Sequence, residues 1–151
     1  MKTSLISQID IDAPPERVWQ ELTQLSDFTH WNPFIVRAEG RIEVGAGLVL
    51  RMQPVGGRPM TLTPTVVEVV DGSLLRWRGT VGVPALLAAE HSFRLVALDG
   101  GATRLHQDEV FHGMLVPLVK RSLQRHTLPA FCVMNEALRR RAERPVSRVR
   151  G

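Results

Sequence analysis

At 151 residues, with 44% hydrophobic and 23% charged side chains, the chain is sized and composed for one globular domain with a sizeable core. Those values exclude disordered, collagen-like and coiled-coil classes. The net charge of +4 sits at one end, because six arginines and one glutamate fall within 139–151 and leave residues 1–138 at −1.

Such basicity reads as a solvated helix end favoured by the helix dipole, not as a nucleic-acid surface. With no tyrosine and few aromatics, a stacking platform for single strands is not expected either. The single cysteine, Cys132, permits no internal disulfide and no CxxC pair. The first ten residues lack the apolar core of a signal peptide. The longest uncharged apolar run, 83–89, is far short of the ~20 residues that cross a bilayer. Integral membrane association is therefore not expected, and the cytoplasm is the expected location.

Residues 4–11 alternate, with Leu5, Ser7, Ile9 and Ile11 on one side, as a half-buried strand does. Asp12-Ala13-Pro14-Pro15 ends it and starts an amphipathic helix over 15–24 carrying Val18, Trp19 and Leu22, with its cap near Asp12 or Ala13. Ser26 opens one further short turn, which Asn32-Pro33 halts. From Ile35 to Phe111 the pattern is strand and turn, predicting strands at 35–43, 47–54, 59–70, 74–81, 88–98 and 103–112 in an antiparallel meander. From Leu115 to Glu143 a 3.6-residue period predicts one long helix, with Leu115, Val119, Ser122, Leu123, His126, Ala130, Val133, Met134 and Ala137 facing inward. Pro145 stops it. Two domains' worth of signals are absent: residues 1–143 read as one ligand-binding domain, and 144–151 as a basic, disordered tail.

The order of strand, two short helices, about six further strands and a long C-terminal helix resembles the helix-grip fold of the SRPBCC (START-like) superfamily. Several stretches are similar to its polyketide cyclase/dehydrase-like branch: Ile11-Asp12-Ala13-Pro14-Pro15-Glu16-Arg17-Val18-Trp19, Trp31-Asn32-Pro33-Phe34, Leu75-Arg76-Trp77-Arg78-Gly79, His91-Ser92-Phe93-Arg94-Leu95, and residues 103–113 from Thr103 to Gly113. The resemblance implies an α+β fold, a curved antiparallel sheet of about seven strands round the long helix, with an elongated cavity between them. It implies no shared catalytic set.

Alternation then selects the inward side chains. Odd positions of 88–98 and 103–111 carry the apolar bulk and face inward: His91, Phe93, Leu95, Leu105, Gln107, Glu109 and Phe111. If Asp99-Gly100-Gly101 is a hairpin loop, position i opposes 200 − i, and His91 meets Glu109. Trp77 joins them with Leu75. His106, Asp108 and His112 share the opposite, solvent-facing side, and no metal site is read there. The expected partner is an apolar small molecule, lipid-like, polyketide-like or aromatic, with no cofactor and with the protein a monomer or homodimer. Trp77, Phe93, Leu95, Phe111 and Val119 supply apolar walls in this reading, and His91, Gln107, Glu109, Ser122 and His126 polar contacts. The alternative is a cyclase or dehydratase in which His91 and Glu109 transfer a proton; a third is a regulatory module whose arginine tail touches an acidic surface.

Overall fold

The computed structural model describes residues 1–145. Its first strand, β1 (Lys2–Ile11), buries Thr3, Leu5, Ser7 and Ile11, half-buries Ile9 on the same face and exposes the alternate residues, as period-two patterning requires. Helix α1 (Pro15–Thr23) begins later than a cap at Asp12 or Ala13 would place it. Pro14 is the capping residue, its carbonyl accepting the N–H groups of Arg17 and Val18 at 3.0 and 3.2 Å, and Pro15 takes the first helical position, where no amide hydrogen is needed. A 3₁₀ turn (Leu25–Asp27) and the one-turn helix α2 (Phe28–Trp31) follow. The buried Asn32 then accepts the N–H groups of Phe34 and Ile35 at 3.0 and 2.9 Å through Oδ1, turning the chain into the next strand.

Seven more strands lie before the C-terminal helices: β2 (Ile35–Glu39), β3 (Val49–Met52), β4 (Met60–Leu62), β5 (Thr65–Val70), β6 (Leu74–Val81), β7 (Leu87–Ala97) and β8 (Thr103–His112). They form the α+β helix-grip architecture in two antiparallel sheets, one ordered β1-β8-β7-β6-β5 and one ordered β2-β3-β4. The strand expected over 59–70 is two strands. Pro64 has no amide hydrogen to continue a ladder, and its carbonyl instead accepts the Leu48 N–H at 2.8 Å. That break hands β4 to one sheet and β5 to the other, and it makes eight strands of the expected seven. Strands expected at 35–43 and 47–54 shorten to 35–39 and 49–52.

The long helix also differs from its straight reading. It comprises α3 (Val116–Ser122), a π turn (Leu123–Thr127) and α4 (Leu128–Glu143). A π turn adds a residue without a matching advance in phase, so the buried face beyond it slips by one position. Straight periodicity puts Val133 and Ala137 inward; the buried residues of α4 are Ala130, Phe131, Met134, Asn135, Leu138 and Ala142, and Val133 is exposed. The tail expected at 144–151 lies outside the described residues from 146 onward. No described helix is long and apolar enough to cross a membrane.

Helix α1 is fixed to α4 by charge. Glu21, buried between them, takes Arg17 on one oxygen and Arg141 Nε at 2.9 Å on the other, while Arg17 also donates to the Arg141 carbonyl at 3.2 Å. Phe131, Met134 and Leu138 of α4 pack in the core formed with Leu5, Phe34 and Phe93. This half of the space between helix and sheet is filled.

Candidate functional site

The β7–β8 hairpin sets the site's register. The Leu98 N–H donates to the Ala102 carbonyl at 2.8 Å to close the connection, and His91 pairs with Glu109, Phe93 with Gln107 and Leu95 with Leu105. One slip along this ladder would turn all six side chains to the other face.

His91 is fully buried and caged by aromatic rings. The Trp77 indole stacks on it with centroids 5.2 Å apart and planes at 22°, and Phe93 and Phe131 lie at 4.7 and 5.0 Å. Its Nδ1 is 3.1 Å from Glu109 Oε2 and its Nε2 3.1 Å from Gln107 Oε1. The rest of the chain of bonds orients these groups. A backbone carbonyl only accepts, so the Gln107 amide nitrogen points to the Phe131 carbonyl at 3.4 Å and to Asn135 Oδ1 at 2.6 Å. Asn135 in turn donates to Ser7 Oγ at 3.0 Å, and the Ser7 hydroxyl donates to the Gln107 carbonyl at 2.7 Å.

With the Gln107 oxygen assigned by this network to His91, Nε2 must carry a hydrogen. The other ring nitrogen, Nδ1, then has the Glu109 carboxyl as its sole polar partner among the described residues, at 3.1 Å. The His91–Glu109 contact is thus a direct hydrogen-bonding link between a buried imidazole and a carboxyl group.

Beside Glu109 lies a cavity of about 370 Å³. Its sheet wall consists of inward positions at the strand ends: Trp77, Gly79 and Val81 of β6, Leu87 and Ala89 of β7, Glu109 and Phe111 of β8. Phe34, Met52, Met60 and Leu62 close a second side, and Val119, Ser122, Leu123, His126 and Thr127 the helix side. Lining residues that are themselves exposed, Arg58, Met60, Val81 and Ser122, mark the opening. The helix side of the cavity is lined by the smaller Val119 and Ser122 of α3, where α4 carries the bulkier Phe131 and Met134 into the core.

The expected site residues divide. Trp77, Glu109, Phe111, Val119, Ser122 and His126 line the cavity, with Ser122 exposed at its rim instead of buried on the helix face. His91, Phe93, Leu95 and Gln107 do not line it. They lie in the packed half of the fold, where Phe131 and Asn135 of α4 cover the sheet, and His91 reaches the cavity only through Glu109. His126 has a partner of its own: its Nδ1 lies 2.7 Å from the Val55 carbonyl while the Val55 N–H donates to the His126 carbonyl at 2.9 Å. This two-bond clasp ties the β3–β4 loop to the π turn. Asn135 was hidden from sequence by the phase slip, whereas Ser7, polar between Leu5 and Ile9 on a buried strand face, was a visible signal.

A family profile described as polyketide cyclase / dehydrase and lipid transport matches residues 2–144. No curated protein sequence matches the chain. Among solved structures, the Zhui aromatase/cyclase of Streptomyces sp. R1128 superposes with a TM-score of 0.80 at 17% identity, covering 100% of this chain and 99% of its own. Protein MLL2253 of Mesorhizobium loti gives 0.74 at 20% identity, over 95% and 99% of the two chains. Norcoclaurine synthase of Thalictrum flavum gives 0.71 at 13% identity, over 93% and 86%. At these identities the likeness is one of fold.

Proposed function

The chain belongs to the polyketide cyclase/dehydrase and lipid transport family, and from that premise we propose that it binds an apolar small molecule in the cavity beside Glu109. The observation that carries this reading is the wall's composition. Trp77, Phe34, Phe111, Met52, Leu87 and Val119 offer apolar surface, and few polar groups, chiefly Glu109, Ser122 and His126, interrupt it. Burying apolar ligand surface there contributes roughly 25 cal/mol per Å², and the polar groups fix orientation. A volume of about 370 Å³ is near the low end of the ~300–1,000 Å³ typical of ligand sites, which favours a compact ring system over a fully enclosed long acyl chain.

Titration with a fluorescent apolar probe tests the reading. Ala89 faces the cavity between Gly79 and Phe111 on the neighbouring strands, and Ala89→Trp fills the space. Saturable binding that falls at least tenfold in that variant is the expected result; unchanged binding would place the ligand elsewhere.

The contact between buried His91 and cavity-lining Glu109 favours a second reading, proton-transfer catalysis. Glu109 as carboxylate takes a proton from carbon adjacent to a ligand carbonyl, with His91 hydrogen-bonded behind it. As carboxylic acid it returns the proton to a departing hydroxyl. His91 touches no ligand in this scheme and acts by positioning Glu109.

A further inference from the structure

Three segments frame the cavity mouth, and they share a composition the rest of the surface lacks. They are the β3–β4 connection with its flanks (53–64), the β6–β7 connection with its flanks (79–89), and the stretch from Gly113 through the π turn (113–127). The first is joined to the third by the Val55–His126 clasp. The second is joined to it by the Met114 N–H donating to the Ala85 carbonyl at 3.1 Å and the Leu115 N–H to the Leu86 carbonyl at 3.0 Å. Gly113, with φ 129°, lets these chains approach, since a Cβ there would collide with the Leu86 carbonyl.

Seven of the fourteen exposed large apolar side chains of the described residues fall on these segments: Val55 and Met60, then Val81, Val83 and Leu86, then Met114 and Leu118. Met114, in the turn before α3, and Leu118, in its first turn, are 73% and 79% exposed. Arg58, Lys120, Arg121 and Arg125 occupy the same three segments, and not one Asp or Glu does. None of these four cations makes an ion pair among the described residues. Elsewhere many surface arginines are matched, as with Arg104–Asp10, Arg78–Glu90 and Arg139–Glu136, and Arg41 and Arg94, unpaired among the described residues, lie on other segments.

We propose that this rim is a docking surface for an anionic lipid bilayer, with Met114, Leu118 and Val83 entering the headgroup region and Lys120, Arg121 and Arg125 meeting lipid phosphates. Exposed apolar tips beside unopposed cations are what peripheral membrane contact requires, since burial and charge attraction add. An acidic protein would need an apolar surface shaped to three separate loops as well as the charge, whereas a bilayer supplies both without a matching shape. The mouth of the cavity then faces the hydrocarbon from which an apolar ligand partitions.

Co-sedimentation of the full chain with phosphatidylcholine vesicles, with and without phosphatidylglycerol, tests the assignment. The protein is expected to sediment with the anionic vesicles only, and to be released by high salt. Each cation near such a surface contributes roughly fivefold in binding, so Arg121→Glu/Arg125→Glu is expected to weaken it at least tenfold. Leu118→Asp is expected to do the same with little change in net charge. Arg41→Glu/Arg94→Glu, an equal charge change away from the rim, is expected to leave binding within about twofold. Leu118, Arg121 and Arg125 do not line the cavity, so probe binding stays unchanged in all three variants, and a failure of the cavity reading is seen separately. Wild-type protein that ignores anionic vesicles would overturn the proposal and leave the patch to an acidic protein. Rim variants that bind as wild type, or a control that loses as much, would overturn it also.

Discussion

Glu109 Oε2 lies 3.1 Å from Nδ1 of a fully buried His91, and Glu109 alone of the two reaches the cavity. This asymmetry separates a group that meets ligand from a group that positions it. Glu109→Gln retains a hydrogen-bonding partner for Nδ1 and removes the group that gives and takes the proton. Probe affinity is expected to change less than threefold. If the pair is catalytic, turnover falls by about 10²–10⁴. Steady-state kinetics of the variant across pH checks this; a variant as active as wild type would reduce Glu109 to a ligand anchor.

The buried network predicts a stability effect independent of ligand. In Asn135→Leu, Gln107 Nε2 keeps only its 3.4 Å bond to the Phe131 carbonyl, and Ser7 Oγ loses its donor. Leaving buried polar groups under-satisfied costs about 1–3 kcal/mol. Urea unfolding is expected to show a loss of about 2 kcal/mol with the slope unchanged.

Acid sensitivity is expected at the α1–α4 contact. Burial pushes the Glu21 carboxyl up, but the hydrogen bonds of Arg17 and Arg141 outweigh it and hold the folded-state value below the ordinary 4.5. A carboxyl lowered on folding stabilises fully above its unfolded value and progressively less as pH falls through its folded one. Stability is therefore expected to drop below about pH 4.5, and the drop is expected to be shallower in Glu21→Gln. Thermal melts of both proteins from pH 7 to pH 3 measure the difference.

The π turn places the cavity. Deleting Gln124 from it restores α-helical spacing and rotates α3 by about 100° relative to α4. Val119 and Ser122 then leave the cavity wall. The deletion is expected to keep α4 packed, with near-native helix content by circular dichroism, and to weaken probe binding at least tenfold. Equal binding would show that the turn is incidental.

Much of this molecule is legible in its sequence. Alternation placed His91, Phe93, Gln107 and Glu109 inward, and the symmetry of the Asp99-Gly100-Gly101 loop fixed which residues oppose which. Three features were not legible, for distinct reasons. The π turn has no residue signature in Leu123–Thr127, so periodicity placed Met134 inward correctly but could not show Val133 turned out and Asn135 turned in. The break at Pro64 sits inside a run of β-formers, where proline marks an interruption but not a change of sheet. The position of the cavity depends on how far α4 fills the groove, a matter of Phe131 and Leu138 meeting particular strands, which makes His91 a buried supporter instead of a wall.

Native mass spectrometry of gently purified protein, wild type beside Ala89→Trp, tests the central claim most directly. The account predicts an excess mass on the wild type, released on unfolding as an apolar small molecule and reduced or absent in the variant. A clean mass for the wild type, together with no saturable uptake of an apolar probe, would contradict it.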